Sequence, residues 1–414
     1  MNYKTFDFLK EISYERIGGT AKELECAHQI IAEVAKRGVE AHLEEFEVDA
    51  PVILKAKFEV LEPVYKEYNV TGYGMSGNTP EEGITADFVY IEDGHDLKTL
   101  DVEGKIVLVN GGMGYDLYKK LIAKKVAGFV SMSGSIYDKE EETDLEERRL
   151  RPRHYDNGKI PGVTMRILDA HHLVLSNATK ARLTLIQEEN HAMSHNVVCT
   201  IEGTDKANEV VAFTAHYDSV RFSTGAYDNG TGSTTILELF NYFMDNKPRR
   251  TLKFIWCGSE EMGLLGSKAY VAAHKEELKD YVLNINVDMT GVVLGTDFAC
   301  CTTEQHGVDI INALAKETGF AMRVRQGVYS SDSTPFADNT VPAISFCRGS
   351  AMGGAKIHSR QDVLDFLHPD NYYKTCEFIE IFASRMINSV ILPISKSMPD
   401  NMKKELDKYL GRNQ

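Results

Sequence analysis

Four apolar segments, each ending abruptly in polar residues, restrict the fold of this chain more than any other feature. They read EVVAFTAHYD, TLKFIWCGSEE, YVLNINVDMTG and VPAISFCRG. Apolar runs of this length that alternate with amphipathic helical patterns are typical of a doubly wound, mostly parallel α/β sheet with helices on both faces. Ligands of such sheets bind beyond the carboxyl ends of the strands. The sequence therefore predicts a ligand site lined by the polar residues at these ends, namely His216, Glu260, Glu261, Asp288 and Arg348.

The α/β pattern is interrupted in the middle of the chain. It begins within residues 1–50 and resumes over residues 189–414, whereas residues 51–188 combine short strands with glycine-rich turns. Such a change between two parts of one pattern indicates an insertion. We therefore predict a discontinuous α/β domain formed by residues 1–50 and 189–414, with a β-rich domain of residues 51–188 inserted into it.

The composition of the chain disfavours several classes of function. Its 414 residues are 43% hydrophobic, which is enough for two cores, and its net charge of -15 repels nucleic acid. No apolar run reaches the roughly 18 residues of a membrane span, and the amino terminus lacks the apolar segment of a signal peptide. The seven cysteines show no CxxC spacing, which favours free thiols in a reducing compartment. We expect a cytoplasmic protein that binds neither nucleic acid nor membrane.

The HYD segment pairs a histidine with a carboxylate two residues later. An extended backbone directs His216 and Asp218 to the same side, so that Asp218 can orient the imidazole. A metal-binding histidine usually donates its second ring N–H to such a carboxylate. Taken alone, the pair is better explained by a histidine with a purely structural partner.

Three further carboxylates stand near the ends of these segments. Asp228 lies on a glycine-rich turn before a helix, where it can bridge two cations or cap the helix. Glu260 and Glu261 are adjacent, and neighbours in an extended chain point to opposite sides. One of them can therefore bind a metal while the other acts as a general base, and surface glutamates that start a helix are the alternative.

Asp288 and His358 complete a set of nitrogen and oxygen donors. With His216, Asp228 and Glu261 they provide two imidazoles and three carboxylates, which suits zinc, with cobalt or manganese as substitutes. One bridging carboxylate and two further ligands for each ion use all five residues. We therefore predict two Zn2+ ions per chain.

Five motifs resemble those of a known family. HYDSV, YDNGTGS, SEEMGLLGS, NVDMTG and IHSRQD closely resemble the motifs of the zinc aminopeptidase family with co-catalytic metals, which includes bacterial leucine aminopeptidases, glutamate carboxypeptidase and the transferrin receptor. The resemblance covers residues 1 to about 50 and about 190 to 394. It implies the zinc exopeptidase fold and a cis peptide bond between Asp228 and Asn229. It also implies a site with one zinc on His216 and Asp288, another on Glu261 and His358, a bridging Asp228, a general base Glu260, and Asp218 behind His216.

The resemblance extends to the insertion and has two departures. Residues 101–134 and 160–173 resemble the protease-associated domain that is inserted in many relatives. Ile357 stands before the last metal histidine, where some relatives have a tyrosine that holds the oxyanion, and Ser333 replaces a histidine of relatives. Tyr329 is the candidate substitute for the missing tyrosine.

The predicted function is metal-dependent hydrolysis of a terminal bond in a peptide substrate, and the motif set favours an aminopeptidase. A carboxypeptidase or dipeptidase of the same fold is the first alternative, in which Arg348, Arg323 or Arg325 would receive a terminal carboxylate. A noncatalytic binding protein on the peptidase fold is the second alternative. The presence of all five ligands and of Glu260 disfavours it.

The carboxyl-terminal segment predicts a short amphipathic helix. Its apolar face consists of Met402, Leu406, Tyr409 and Leu410. Such a face indicates packing on its own domain, and the alternative is a contact in a homo-oligomer.

Overall fold

The chain divides into two compact units. The computed structural model describes residues 3–95, 97, 99–137, 139, 145 and 148–412. The discontinuous unit consists of Met1–Val48 and Ala192–Gln414, and the inserted unit consists of Asp49–His191.

The elements alternate between strands and helices in both units. The first segment contains α1 (Thr5–Glu11), α2 (Ala21–Ala35) and β1 (Ala41–Asp49). The inserted unit contains β2 (Val52–Glu62), β3 (Lys66–Tyr68), β4 (Val70–Gly72), β5 (Ile84–Tyr90), β6 (Ile106–Leu108), α3 (Tyr115–Ala123), β7 (Gly128–Ser133), α4 (Pro152–Tyr155), β8 (Gly162–Arg166), α5 (Ile167–Leu175) and β9 (Lys180–Glu188). The last segment contains β10 (His191–Ile201), β11 (Lys206–His216), α6 (Thr231–Asp245), β12 (Arg250–Cys257), α7 (Leu265–Ala273), β13 (Tyr281–Val287), β14 (Gly295–Cys301), α8 (Gln305–Thr318), β15 (Arg323–Gln326), α9 (Ser333–Asp338), β16 (Ala343–Ser350), α10 (Pro369–Asn388) and α11 (Asp400–Tyr409).

The main sheet of the discontinuous unit has its parallel strands at the centre. Its order is β1-β10-β12-β11-β13-β16-β14-β15. Neighbours among β12, β11, β13 and β16 are parallel, whereas β10 runs antiparallel to β12 and β14 runs antiparallel to β16. These four central strands are the four apolar segments of the sequence, so the predicted mostly parallel sheet is confirmed. Because they are parallel, their carboxyl ends meet at one edge of the sheet.

Helices cover both faces of this sheet, as predicted. Successive residues of a strand point to opposite faces, so helices on both faces are needed to bury all the side chains of the apolar segments. On one face, Phe213 of β11 stacks on Phe254 of β12 with ring centroids 4.8 Å apart, in a core shared with α2, α6, α8 and α10. On the other face, Ala212 packs in a second core with Tyr270 of α7 and Phe336 of α9.

The inserted unit is rich in β-structure and has its own cores. Its sheet has the order β3-β2-β9-β5-β6-β7-β8-β4. One core lies around Leu183 and Val130, and another lies around Phe129 and Tyr118 of α3. A separate core is what an independent domain requires.

The discontinuous unit is left and re-entered at neighbouring points. β1 and β10, which precede and follow the inserted unit, are adjacent in the main sheet. Val48 Cγ2 and Ala192 Cβ each lie 3.0 Å from the position that a Cβ atom of Gly19 would take. Gly19 has a φ of 77°, a left-handed conformation that favours glycine, and its lack of a side chain lets both ends approach.

The cysteines, the hydrophobicity of the helices and the packing of α11 complete the description of the fold. All seven cysteines are buried and free. Among the described residues, none of the helices combines the length and hydrophobicity that a membrane crossing requires. Leu406 of α11 packs against Ala337 and Ala343, within the discontinuous unit.

Candidate metal centre

His216 is the last residue of β11, and Asp218 binds the turn that carries Glu260 and Glu261. His216 Nδ1 lies 3.4 Å from Asp218 Oδ1, and both side chains are buried. The two oxygens of Asp218 also accept the backbone N–H groups of Glu260, at 3.0 Å, and Glu261, at 3.2 Å. Asp218 therefore connects the end of β11 to the turn after β12, in addition to its predicted place behind His216.

Glu260 and Glu261 lie on a tight turn, and the prediction of an extended backbone for them is wrong. β12 ends at Cys257, and Ser259 takes a φ of 54°. The backbone N–H of Gly263 then bonds to the carbonyl of Glu260 at 2.8 Å. The chain must turn here because Asp218 draws both glutamate N–H groups to one carboxylate.

Asp228 is held by a carboxylate that the sequence reasoning missed. It lies on the turn Ala226–Gly230 before α6, and its peptide bond to Asn229 is cis, as the resemblance implied. The buried side chain of Asp362 accepts the N–H of Tyr227 at 2.7 Å and the N–H of Asp228 at 3.1 Å. Asp362 belongs to the segment IHSRQD, in which only the histidine was predicted to act.

Asn229 holds Asp288 from both sides along the chain. Its Nδ2 donates to the carbonyl of Val287 at 3.0 Å, and its Oδ1 accepts the N–H of Met289 at 2.9 Å. These bonds fix the backbone on either side of Asp288, directly after β13. Gly232 is required here, because a Cβ atom would come within 2.5 Å of Asn229 Nδ2.

The five predicted ligands meet at the edge where the parallel strands end. His216 Nε2 lies 3.2 Å from Asp228 Oδ1 and 3.6 Å from Asp288 Oδ1. His358 Nε2 lies 3.2 Å from Asp228 Oδ2 and 3.0 Å from Glu261 Oε2. The two oxygens of Asp228 therefore face different histidines. Two ligand atoms of a tetrahedral zinc ion are about 3.3 Å apart, which matches these separations.

The electrostatics of this cluster favour a cation. Burial raises the pKa of Glu261 to about 7, and the charge of Asp228 adds to the rise. Burial also raises the pKa of Asp288 and of Glu260. Although burial opposes it, hydrogen bonds with Asp228 and Glu261 raise the pKa of His358 to about 11. Without another cation, protons balance the buried carboxylates, and a divalent ion can displace them.

Unsatisfied atoms support the same conclusion. Glu261 Oε1 and Asp288 Oδ1 are buried and have no partner in hydrogen-bond geometry among the described residues. A buried polar atom without a partner costs about 1–3 kcal/mol, so such atoms are rare unless a ligand or an ion satisfies them. The donor set, its spacing and these carboxylate oxygens fit a metal centre.

Asp332 is a second carboxylate that the sequence reasoning missed. It is 1% exposed, and neither of its oxygens has a partner in hydrogen-bond geometry within the described part of the chain. Burial raises its pKa to about 7, and its charge in turn raises the pKa of Glu260. The segment SSDSTPF departs from the family pattern at Ser333, and no sequence pattern indicates a role for the neighbouring Asp332.

Arg348 does not stand beyond a strand end, so this part of the prediction is wrong. β16 continues to Ser350, and Arg348 pairs in register with Asp297 of β14. Its Nη1 lies 2.5 Å from Asp297 Oδ2, while its Nε and Nη2 donate to the carbonyls of Val292 and Val293. These bonds leave its guanidinium poorly suited to receive a substrate carboxylate. Arg323 and Arg325, the other two candidates, lie on the edge strand β15.

Tyr329 lies near enough to Asp288 for that charge to act on it, and Ile357 is half-buried. The ring of Tyr329 packs edge-on against Phe298, and its hydroxyl lies 3.8 Å from Cys347 Sγ. Burial and the negative charge of Asp288 raise the pKa of Tyr329 well above its usual value. Its hydroxyl therefore keeps its proton and can donate a hydrogen bond.

A family model supplies the identity of this fold and site. The model described as Peptidase family M28 matches residues 196–381, which include all five predicted ligands and Glu260. This part of the chain is similar to peptidase family M28. The predicted family resemblance is thereby confirmed.

Relatives of this chain include enzymes of two kinds. Aminopeptidase YwaD of Bacillus subtilis (strain 168) is 28% identical over 355 residues, which cover 84% of this chain and 75% of that protein. Carboxypeptidase Q of Bos taurus is 28% identical over 314 residues, which cover 70% of this chain and 64% of that protein. The solved structure of BSAP, a zinc aminopeptidase from Bacillus subtilis, aligns with a TM-score of 0.77 at 22% identity over 96% of this chain and 98% of that chain. This last likeness shows the fold.

We predict that Zn2+ raises the melting temperature of this protein. An ion that binds only the folded state at 100 times its Kd stabilises it by about 2.7 kcal/mol. Calorimetry of chelator-treated protein with and without ZnCl2 measures the rise. It should be smaller at about pH 5.5 than at about pH 7.5, because protons compete for the same ligand atoms. Asp228→Asn is the control, and an equal rise in this variant would place the ion elsewhere.

Proposed function

We propose that this protein is a two-zinc aminopeptidase that removes residues from the amino end of peptides. One observation carries the two-metal proposal: each oxygen of Asp228 lies 3.2 Å from a different histidine nitrogen. A carboxylate that faces His216 on one side and His358 on the other is placed to bridge two ions. Asp288 would complete the first site and Glu261 the second.

The ions would supply polarisation of the scissile carbonyl and activation of a water molecule, with Co2+ or Mn2+ able to replace Zn2+. Glu260 is the candidate general base. Its raised pKa suits a group that accepts a proton from water and then passes it to the leaving amine. The hydrogen bond from its N–H to Asp218 fixes its backbone beside the ligands.

Tyr329 is the candidate oxyanion donor. Ile357, which stands where some relatives have a tyrosine, has no hydrogen to donate. The phenol of Tyr329 keeps its proton and is near enough to Asp288 for that charge to raise its pKa. A donor aimed at the developing oxyanion stabilises the transition state more than the substrate.

Charge distribution favours the amino end of the substrate over the carboxyl end. Glu260 and Asp332 are acidic groups outside the set of five ligands, and their oxygens can accept hydrogen bonds from the α-ammonium group of a substrate. Arg348, the candidate partner of a terminal carboxylate, is engaged by Asp297. Carboxypeptidase or dipeptidase action is therefore the second candidate. It is retained because one relative is a carboxypeptidase by name.

A noncatalytic binding protein is disfavoured by the clustering of every residue that hydrolysis needs. The five ligands group within 4.8 Å in overlapping sets, and one further set joins Glu260 to His216 and Glu261.

We further propose that residues 51–188 form a protease-associated domain, which their separate cores support. The cytoplasmic location and the homo-oligomer stay predictions.

Separate substitution of each of the two adjacent glutamates should distinguish the catalytic residue from the metal ligand. We expect Glu260→Gln to lower kcat at least about 10²-fold and to keep two zinc ions, because only the base is lost. Glu261→Gln should weaken one ion. Zinc content by mass spectrometry and steady-state kinetics measure both effects. Wild-type protein that is active and saturates at one zinc, or Glu260→Gln with near-normal kcat, would refute these roles.

Loss of one hydroxyl should reveal the oxyanion donor. We expect Tyr329→Phe to lower kcat about 10²- to 10³-fold with little change in KM, because the bond forms mainly in the transition state. Tyr242→Phe is the matched control, since its hydroxyl bonds to Ser384 between α6 and α10. Equal kinetics in the two variants would exclude Tyr329 from this role.

Two substrate types should identify the end that is attacked. We expect cleavage of aminoacyl anilides, which have a free amine and no carboxylate. N-acylated dipeptides, which have a free carboxylate and no amine, should remain intact. Spectrophotometry of the released aniline and mass spectrometry of the dipeptides give the comparison. Cleavage of the acylated dipeptides alone would establish the carboxypeptidase or dipeptidase alternative.

A further inference from the structure

Glu23, in the first turn of α2, is a fully buried acid that lies outside the ligand set. Its Oε1 contacts the hydroxyl of Tyr217 and accepts the N–H of His195 at 3.1 Å. Its Oε2 lies 3.1 Å from His195 Nδ1, and Ser194 Oγ donates to Oε1 at 3.3 Å. A residue so deeply buried and so fully bonded connects three separate parts of the chain.

The hydroxyl of Tyr217 joins Glu23 to a neighbouring backbone group. Its oxygen contacts Glu23 Oε1 and also lies 2.8 Å from the carbonyl oxygen of His195. Because the N–H of His195 also bonds to Glu23, the tyrosine, the glutamate and this backbone form one buried network. Burial raises the pKa of Glu23.

Two series of contacts connect Glu23 to the candidate metal centre. Tyr217 lies in the chain between His216, a metal ligand, and Asp218, which holds the glutamate turn. Ser194 accepts a hydrogen bond from Ser259 Oγ at 2.8 Å, and Ser259 directly precedes Glu260. One side chain thus supports the segment after β11 and the segment after β12.

The packing around Glu23 leaves little room for movement. A Cβ atom at Gly258, which follows β12, would lie 2.8 Å from Ser194 Oγ and 3.0 Å from Glu23 Oε1. The carboxyl group therefore lies directly against the backbone that leads to Glu260 and Glu261.

We propose that Glu23 is a positioning residue that holds the two ligand-bearing segments in register through Tyr217 and through Ser194. The proposal rests on the two-zinc function proposed above. Glu23 touches neither ion nor substrate, and it acts by fixing the backbone that presents His216, Glu260 and Glu261.

The expected effect is moderate because a second group also holds Tyr217. The buried guanidinium of Arg16 donates from Nε to the carbonyl of Tyr217 at 2.5 Å and from Nη2 to the carbonyl of Gly225 at 3.0 Å. Loss of the Glu23 bond leaves Tyr217 with this backbone bond and with the bond from its hydroxyl to the carbonyl of His195. Residues behind metal ligands typically change affinity 10- to 100-fold, and we expect about 10-fold here.

The test compares zinc affinity with stability in four variants. We expect Glu23→Ala and Tyr217→Phe to raise the zinc Kd about 10-fold in a chelator competition assay, and Glu23→Gln to have a smaller effect because its amide keeps part of the bonding. Cys26→Ala is the control, because Cys26 is buried on the same helix and packs in the core. It should lower the melting temperature of metal-free protein and leave the zinc Kd unchanged.

Each outcome of this experiment bears on one proposal. Tyr217→Phe removes a single oxygen and keeps the proposal testable if Glu23→Ala does not fold. An unchanged zinc Kd in Tyr217→Phe and Glu23→Gln, or the same change in Cys26→Ala, would overturn the positioning role. Wild-type protein that binds no zinc would instead overturn the two-zinc function, and the positioning role with it.

Discussion

The burial of several carboxylates at one edge of a sheet is the constraint on which the rest of this structure depends. Negative charge in a protein interior is unfavourable unless hydrogen bonds, protons or cations compensate it. In this protein, parallel strands bring Asp228, Glu261 and Asp288 together, and two histidines face them. The fold is stable with such a cluster because large apolar cores lie on both faces of the sheet.

The ligands are held through their backbones by other side chains. Asp218 accepts the N–H groups of Glu260 and Glu261, and Asp362 accepts the N–H of Asp228. Asn229 bonds on both sides of Asp288. Hydrogen bonds to backbone groups fix where a side chain starts while they leave its terminal atoms available for another partner. This division of roles preorganises the site, which lowers the free energy needed to bring the ligands together.

The sequence was sufficient to predict the central strands and the grouping of the five candidate ligands, since local patterns and the family motifs indicate both. Apolar runs that end in polar residues identify parallel strands, and the topology then places their ends together. The errors concern partners that lie far away in the chain. Glu260 and Glu261 form a turn because Asp218 binds them, and Arg348 is occupied because β14 places Asp297 opposite. Asp332, Asp362 and Glu23 were missed because nothing near them in the sequence reveals what they contact.

The adjacent ends of β1 and β10 explain how the chain can accommodate a second domain. Val48 and Ala192 both approach Gly19, so the polypeptide leaves the discontinuous unit and returns to it at almost the same point. The entropy of closing a loop grows only slowly with its length, so a whole domain disturbs such a junction little more than a short turn does. From the standpoint of evolution, this junction lets the module between residues 48 and 192 be gained, exchanged or lost while the sheet that carries the metal ligands keeps its register.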